Sequence, residues 1–471
     1  MPTMNYPIAI LLAAPLALAY PAPITAAAAK PNFVIIFCDD MGYGDLACYG
    51  HDKTKTPNLD AMAAEGQRWT DFYAAAPVCT PSRAAILTGR LPVRSGMCST
   101  KNRVLFPDSF GGLPASEITL AAVLKGLGYD TMAVGKWHLG HLPQFLPTAR
   151  GFDHYFGIPY SNDMDKVGKG DNIALAEKGE FQAYNVPLMR DTEIVERPAN
   201  QHTITRRYAE EAVRFLRSRE ASKPFFLYLA HNMPHVPLFR SDPFKGKSAA
   251  GFYGDVIEEI DWSVGQVVAA LKEKALERNT LVFFSSDNGP WLIFKHHGGS
   301  AGPLRDGKGC TYDGGMRVPG IFRWPGTIAP AIVRDIGSTL DVFPTFLALA
   351  GGKLPGDRTY DGFDLGPVLL KSKPSPRQDM PFYRDETLYA WRHGDFKAHF
   401  TTQGAYGEDA KRREQHDPPI LYDLRNDVGE QTDIASNHPD ILAQIRSLAD
   451  AHRATVQPVE NQLDKRTKPR K

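Results

Sequence analysis

Four short apolar runs, each closing on charged or amide residues, constrain this chain more than any other feature. They span residues 32–38, 130–134, 224–229 and 280–284. Segments at 57–65, 118–127, 205–219 and 255–276 carry apolar residues near a 3.6-residue period and read as helices. Unbroken apolar runs are the pattern of strands buried on both faces. Their alternation with helices predicts an α/β fold, a large and mostly parallel sheet flanked by helices. In such a sheet, ligands bind outside the carboxyl ends of the strands.

The pattern changes after residue 350. Residues 351–380 are rich in Gly, Pro, Asp and Lys and read as a linker. Beyond it, 387–392 and 395–401 flank a His-Gly turn as a hairpin, 420–424 adds a strand, and 439–456 is helical. This predicts a smaller C-terminal α+β domain. The stretch 160–200 shows no clear periodicity and reads as an excursion over the surface, and internal repeats are absent. The expected division is an export signal over 1–29, a catalytic domain over 30–375, an α+β subdomain over 376–460, and a basic, disordered tail over 461–471.

The signal rests on an apolar run from Ile8 to Ala19 followed by the small residues Ala26 to Ala29. No later stretch approaches the length needed to cross a bilayer, so export to a periplasm or the exterior is expected, without membrane insertion. No Asn-x-Ser/Thr sequon occurs in the chain, which suits a periplasm. Lys plus Arg number 54 and Asp plus Glu 53, a balance that excludes a dedicated nucleic-acid binder. A hydrophobic content of 43% excludes a wholly disordered chain. Five cysteines are too few for a disulfide scaffold, and the odd number leaves one for another purpose.

The strand ends carry the chemistry. The first run closes on Cys38-Asp39-Asp40, and the second leads to Gly135-Lys136-Trp137-His138. The third leads to His231-Asn232-Met233-Pro234-His235, and the fourth to Ser286-Asp287-Asn288-Gly289. Asp39, Asp40, Asp287 and Asn288 are hard oxygen donors, suited to Ca²⁺ or Mg²⁺. A further stretch, Pro77-Val78-Cys79-Thr80-Pro81-Ser82-Arg83, runs into a short helix. Pro81 suits its N1 position, which sets Cys79 at the helix N-terminus, where free N–H groups and the dipole favour an anion.

These residues resemble the signature of the type I sulfatase family, part of the alkaline phosphatase superfamily. Cys79-x-Pro81-Ser82-Arg83 followed by Leu87-Thr88-Gly89-Arg90 carries the likeness. Asp39-Asp40, Lys136-Trp137-His138, Pro234-His235, Asp287-Asn288-Gly289, Gly307-Lys308-Gly309 and Gly314-Gly315-Met316-Arg317 follow in the family's order. The similarity runs from about residue 31 to about 433. Within the family it is strongest to the arylsulfatase A and N-acetylgalactosamine-6-sulfatase groups.

The resemblance implies a sulfuric ester hydrolase in which Cys79 is converted to Cα-formylglycine by a formylglycine-generating enzyme. One divalent cation, Ca²⁺ with Mg²⁺ possible, would be held by Asp39, Asp40, Asp287, Asn288 and the modified Cys79. Arg83 would orient the hydrated aldehyde, and Lys136 would fix it and the sulfate. One hydroxyl of the gem-diol would attack sulfur to give a covalent sulfo-enzyme. His235 and Lys308 would stabilise or protonate the leaving alkoxide. His138 would take the proton of the second hydroxyl as sulfate departs. Ser161 and His416 are implied as substrate contacts, with His399 a second candidate on the leaving-group side. Pairing among Cys38, Cys48, Cys98 and Cys310 stays open. The substrate expected is a sulfate ester of a galactose or N-acetylgalactosamine unit. The alternatives are a phosphomonoester or phosphodiester hydrolase of the same superfamily, and a sulfatase-like binding protein without turnover.

Overall fold

A computed structural model of the chain describes residues 1–4 and 30–467. The export signal expected over 1–29 lies, beyond its first four residues, outside the described residues.

Ten strands form the main sheet: β1 (Asn32–Cys38), β2 (Gln67–Tyr73), β3 (Asp130–Gly135), β4 (His154–Gly157), β5 (Leu188–Arg190), β6 (Glu193–Glu196), β7 (Phe225–Ala230), β8 (Thr280–Ser286), β9 (Gly320–Arg323) and β10 (Ala331–Ser338). Their order is β10-β2-β9-β8-β1-β7-β3-β4-β5-β6. The run β8-β1-β7-β3-β4 is parallel throughout. All four apolar runs read from the sequence are its members. Along β1, Val34 and Ile36 face one core with Tyr208, Ile257 and Ile260 from the helices Ile204–Arg217 and Gly251–Glu273. Phe33, Ile35 and Phe37 face a second core with Leu120, Phe343 and Phe346. A strand buried on both faces needs apolar residues at every position, which explains the unbroken run.

The margins of the sheet depart from the sequence reading. β9 runs antiparallel to both β8 and β2, and β5–β6 is an antiparallel hairpin at one edge. The stretch 160–200 therefore extends the sheet. It also holds the helix Asn172–Lys178, whose Asp171 caps it by accepting from Ala174 N at 3.0 Å. These pieces are too short for a periodic signal. The stretch 351–380 is anchored as well. Asp361 pairs with Arg94 at 2.9 Å, and Arg377 with Asp341 at 2.5 Å, all largely buried.

The C-terminal sheet is antiparallel, in the order β11 (Asp379–Arg384), β12 (Thr387–His393), β13 (Phe396–Thr402) and β14 (Glu414–Asp423), with the helix Pro439–Thr455 against it. Its Leu388, Trp391, Leu421 and Ile445 share a core with Ala85 and Leu91 of the larger domain. The described part of the tail, residues 461–467, departs from the sequence reading of disorder. Leu463 is fully buried, Asp464 accepts from Ser99 and Asn102, and Arg466 pairs with Asp108 at 2.7 Å. One apolar side chain with partners for its charged neighbours is enough to dock a basic segment. Residues 468–471 lie outside the described residues. All five cysteines are free thiols. No described helix is long and apolar enough to cross a membrane.

Candidate active site

The carboxyl ends of β1, β3, β7 and β8 converge, as the polar strand ends predict. Asp40 takes a left-handed backbone (φ +64) one residue after Asp39, so the two carboxylates leave the turn separately. At the end of β3, Gly135 (φ +105) passes so close to β7 that a Cβ there would lie 1.9 Å from Ala230 O. Only glycine allows the chain to turn Lys136 and His138 into the cluster at this point.

The cysteine helix spans Cys79–Thr88, with Gly89 (φ +67) closing it through its N–H to Ala85 O. This corrects the expected register: Cys79 itself opens the helix, and Pro81 is its third residue. The first-turn N–H groups have no partner inside a helix, so proline is tolerated there as well as at N1. Cys79 and Arg83 are four residues apart and lie on one helix face.

These side chains form one buried network. Cys79 Sγ lies 3.3 Å from Asp39 Oδ1 and 3.4 Å from Lys308 Nζ. Lys136 Nζ donates to Asp39 Oδ2 at 2.5 Å and to Ser161 Oγ at 3.2 Å. Lys308 Nζ donates to Asp40 Oδ2 at 2.8 Å. Arg83 binds Asp287 Oδ2 through Nε (2.9 Å) and Nη2 (2.8 Å), with Asp39 Oδ1 at 3.6 Å. Asp40 N donates to Asp287 Oδ1 at 3.2 Å, and Asn288 Nδ2 donates to Asp40 Oδ1 at 2.8 Å. The ligand-capable atoms of Asp39, Asp40, Cys79 and His235 all lie within 4.8 Å of one another.

Three acids and an amide among three permanent cations set the electrostatics. Burial alone would raise the Asp39 pKa, but the charges of Lys136, Arg83 and Lys308 outweigh it and hold the carboxyl well below its ordinary value. Burial pushes the Asp40 and Asp287 pKa values up, with the Asp39 charge adding to both. A group of carboxylates that resists full ionisation is one a divalent cation would stabilise. Asn288 Oδ1 is buried without a hydrogen-bond partner, an oxygen donor left for an ion. The residues present therefore fit a hard cation.

Burial, then Asp39, drives the Cys79 thiol well above its usual range, so as cysteine this residue is a neutral thiol rather than a thiolate. Burial, then Lys136, holds His138 neutral. Its Nε2 faces Leu105 O at 2.9 Å and so carries the proton, which leaves Nδ1 a buried and unpartnered acceptor. His235 is neutral from burial and Lys308, with Nδ1 on Val236 O at 2.6 Å and Nε2 3.7 Å from Asp40 Oδ2.

Two expected contacts lie elsewhere. His416 bonds Thr402 Oγ1 at 2.7 Å and lines a separate 760 Å³ cavity with Tyr383, Arg413 and Arg453. His399 is fully buried and bonds Glu430 at 2.9 Å, in an ion network with Lys397 and Asp313. The C-terminal residue that approaches the cluster is Tyr406, whose ring centroid is 6.4 Å from that of Trp291. Trp291 packs on His235 at 5.0 Å, with Lys308 Nζ 4.2 Å from its ring. Asp163, two residues after Ser161, is partly buried with its Oδ1 shielded and unpartnered, and desolvation raises its pKa against Lys136 and Lys308. Sequence reasoning passed over all three. Trp291 and Asp163 were findable from their nearness to Asn288 and Ser161, whereas Tyr406 lies in a loop without pattern.

Comparison with known proteins points the same way. The family model for sulfatases matches residues 31–352, and the model for the C-terminal region of aryl-sulfatase matches 375–471. The chain is 43% identical to human arylsulfatase A, over 90% of this chain and 88% of the relative. It is 40% identical to human N-acetylgalactosamine-6-sulfatase, over 92% and 88%. Among solved structures, the PsFucS1 sulfatase of Pseudoalteromonas sp. superposes with a TM-score of 0.81 at 30% identity, covering 92% of each chain.

Proposed function

The chain belongs to the sulfatase family of sulfuric ester hydrolases, and from that premise we propose that it cleaves carbohydrate sulfate esters at Cys79 after that residue is oxidised to formylglycine. The observation that carries this reading is the surroundings of Cys79. Its sulfur opens a helix between Asp39 and Lys308, where burial keeps it a neutral thiol and a poor nucleophile. An aldehyde hydrate at position 79 would supply the nucleophile and its own exit route, and a Ca²⁺ or Mg²⁺ held by Asp39, Asp40, Asp287 and Asn288 would neutralise sulfate oxygens.

The chain's own residues then divide the work. Arg83 balances Asp287 and Asp39, so the acids keep their separation with or without substrate. Lys136, held between Asp39 and Ser161, presents a positive charge and its neighbouring hydroxyl to a sulfate. His138 offers Nδ1 as a proton acceptor, fixed by its Nε2–H bond to Leu105. Lys308 is held charged by Asp40 against the opposing effect of burial, so it is the group that carries a proton for a leaving oxygen, while neutral His235, its Nδ1 bonded to Val236 O, leaves Nε2 as a polar contact. Trp291 and Tyr406 supply neighbouring aromatic faces against which a sugar ring would pack. The likeness to N-acetylgalactosamine-6-sulfatase supports a galactose-type sulfate as substrate. Export, maturation by a formylglycine-generating enzyme, and a periplasmic or secreted location belong to the same proposal.

The test has two parts. Mass spectrometry of the peptide spanning Cys79, from a host that performs the modification, should read about 18 Da below the thiol form. Turnover on a panel of regiospecifically sulfated galactose and N-acetylgalactosamine units should exceed turnover on aryl phosphate and phosphodiester. An unmodified thiol in fully active protein would overturn the mechanism, and preference for a phosphate would overturn the substrate class.

A further inference from the structure

A second group of metal-capable side chains lies away from the acidic cluster. Glu177, His296 and His297 bring their ligand atoms within 4.8 Å of one another. Nε2 of His296 stands 3.3 Å from Glu177 Oε1, and Nε2 of His297 stands 3.9 Å from the same oxygen. Bonds of about 2.0–2.1 Å to a tetrahedral ion separate neighbouring ligand atoms by about 3.3 Å. The two imidazole-to-carboxylate distances are therefore close to the spacing an ion would impose, and the third lies within 4.8 Å.

His297 supplies the independent observation. Its side chain is 1% exposed, yet both ring nitrogens are buried without a hydrogen-bond partner. A buried imidazole left unpaired is costly, and native structures rarely leave one without a reason. Its ring is fixed edge-on by Phe252 at 5.0 Å. Arg240, stacked on the Phe252 ring, is engaged by Asp255 at 3.0 Å, and among the described residues the partners of the Glu177 carboxylate are the two histidines. Glu177 and His296 are about half and two-thirds exposed, so the cluster has an open path for an ion to enter.

We propose that Glu177, His296 and His297 bind a Zn²⁺-class transition ion, with water in the fourth position. Two imidazoles and a carboxylate are zinc ligands, whereas Ca²⁺ and Mg²⁺ prefer all-oxygen sets. The ion would act as a clip. Glu177 sits on the helix Asn172–Lys178, in the stretch 160–200 that contains Ser161. His296 and His297 end the turn Leu292–His297, which follows Trp291 directly. Zinc would thus join the two segments that border the catalytic cluster, and would do so whether or not the sulfatase chemistry proposed above is correct.

The experiment is a ZnCl₂ titration by calorimetry of the calcium-loaded protein, comparing wild type with Glu177→Gln and His296→Ala. Both substitutions are at exposed positions, and unchanged turnover of an aryl sulfate without zinc verifies that each variant is folded. Wild type should bind one zinc more than either variant, or bind it far more tightly. Because loss of an outer-shell partner alone costs about 10- to 100-fold in metal affinity, loss of a ligand should cost at least that. Zinc should also slow amide hydrogen exchange over residues 172–183 and 292–297 in wild type only. Equal zinc stoichiometry and affinity in all three proteins, or no zinc-dependent protection of these segments in wild type, would overturn the proposal.

Discussion

Asn288 donates its side-chain Nδ2 to Asp40 Oδ1 at 2.8 Å, and this bond leaves Asn288 Oδ1 as a buried oxygen with no partner. The amide is thereby oriented by one acid and open to an ion at its other end. Replacing Asn288 with leucine keeps the volume but removes both functions. Calcium affinity, read by calorimetry, should fall by at least about tenfold. Unchanged affinity would remove Asn288 from the ligand set.

Cys79→Ala removes the only side chain that can be oxidised to the proposed nucleophile. Turnover of an aryl sulfate should fall by about 10³-fold or more, while the thermal midpoint stays close to wild type. Cys79→Ser tests the alternative chemistry, because a hydroxyl lacks the second oxygen needed for release. It should show at most a single turnover, visible as a burst in pre-steady-state kinetics.

Arg83 lies between Asp287 and Asp39 with its side chain fully buried. Arg83→Met leaves two buried carboxylates short of a counter-charge, and stability in urea should drop by about 3–5 kcal/mol. Arg83→Lys retains the charge but cannot span both acids, so it should recover only part of that loss.

Glu259, on the helix Gly251–Glu273, is 1% exposed, accepts from Ser241 N at 2.9 Å, and has its Oε1 buried without a partner. Burial pushes its pKa up to about 7. The folded state then holds a proton that the unfolded chain releases near its ordinary pKa. Stability from this group is fully present below about pH 4.5 and is lost as pH rises toward 7, by up to about 3 kcal/mol. Glu259→Gln should raise the thermal midpoint at pH 8 and leave it nearly unchanged at pH 5. A larger gain at pH 5 would contradict the sign.

His416 bonds Thr402 in a cavity that none of the clustered catalytic candidates lines. His416→Ala should leave kcat/KM on a sulfated sugar within about twofold, the range of a change away from the reacting groups. Tyr406→Ala and Trp291→Ala should each raise KM several-fold, because a cation–π and stacking wall contributes on the order of 1 kcal/mol per ring.

Much of this protein is legible along the chain. The strands β1, β3, β7 and β8 announce themselves because burial on both faces demands apolar residues at every position. The polar residues at their ends follow from the same geometry, since those ends are where a parallel sheet opens to a ligand. Cys79 and Arg83 share a helix face by their spacing alone. What tertiary structure decided lies in contacts between distant segments. The sequence offered His416 and passed over Tyr406, and only the packing of the C-terminal sheet set His416 against Thr402 and brought Tyr406 beside Trp291. Leu463 gives a basic tail an anchor that charge counting cannot register. Glu177 meets His296 and His297 across more than a hundred residues. Periodicity reports the burial of one face over about ten residues, whereas these meetings are set by how separate elements dock, and no local pattern encodes that.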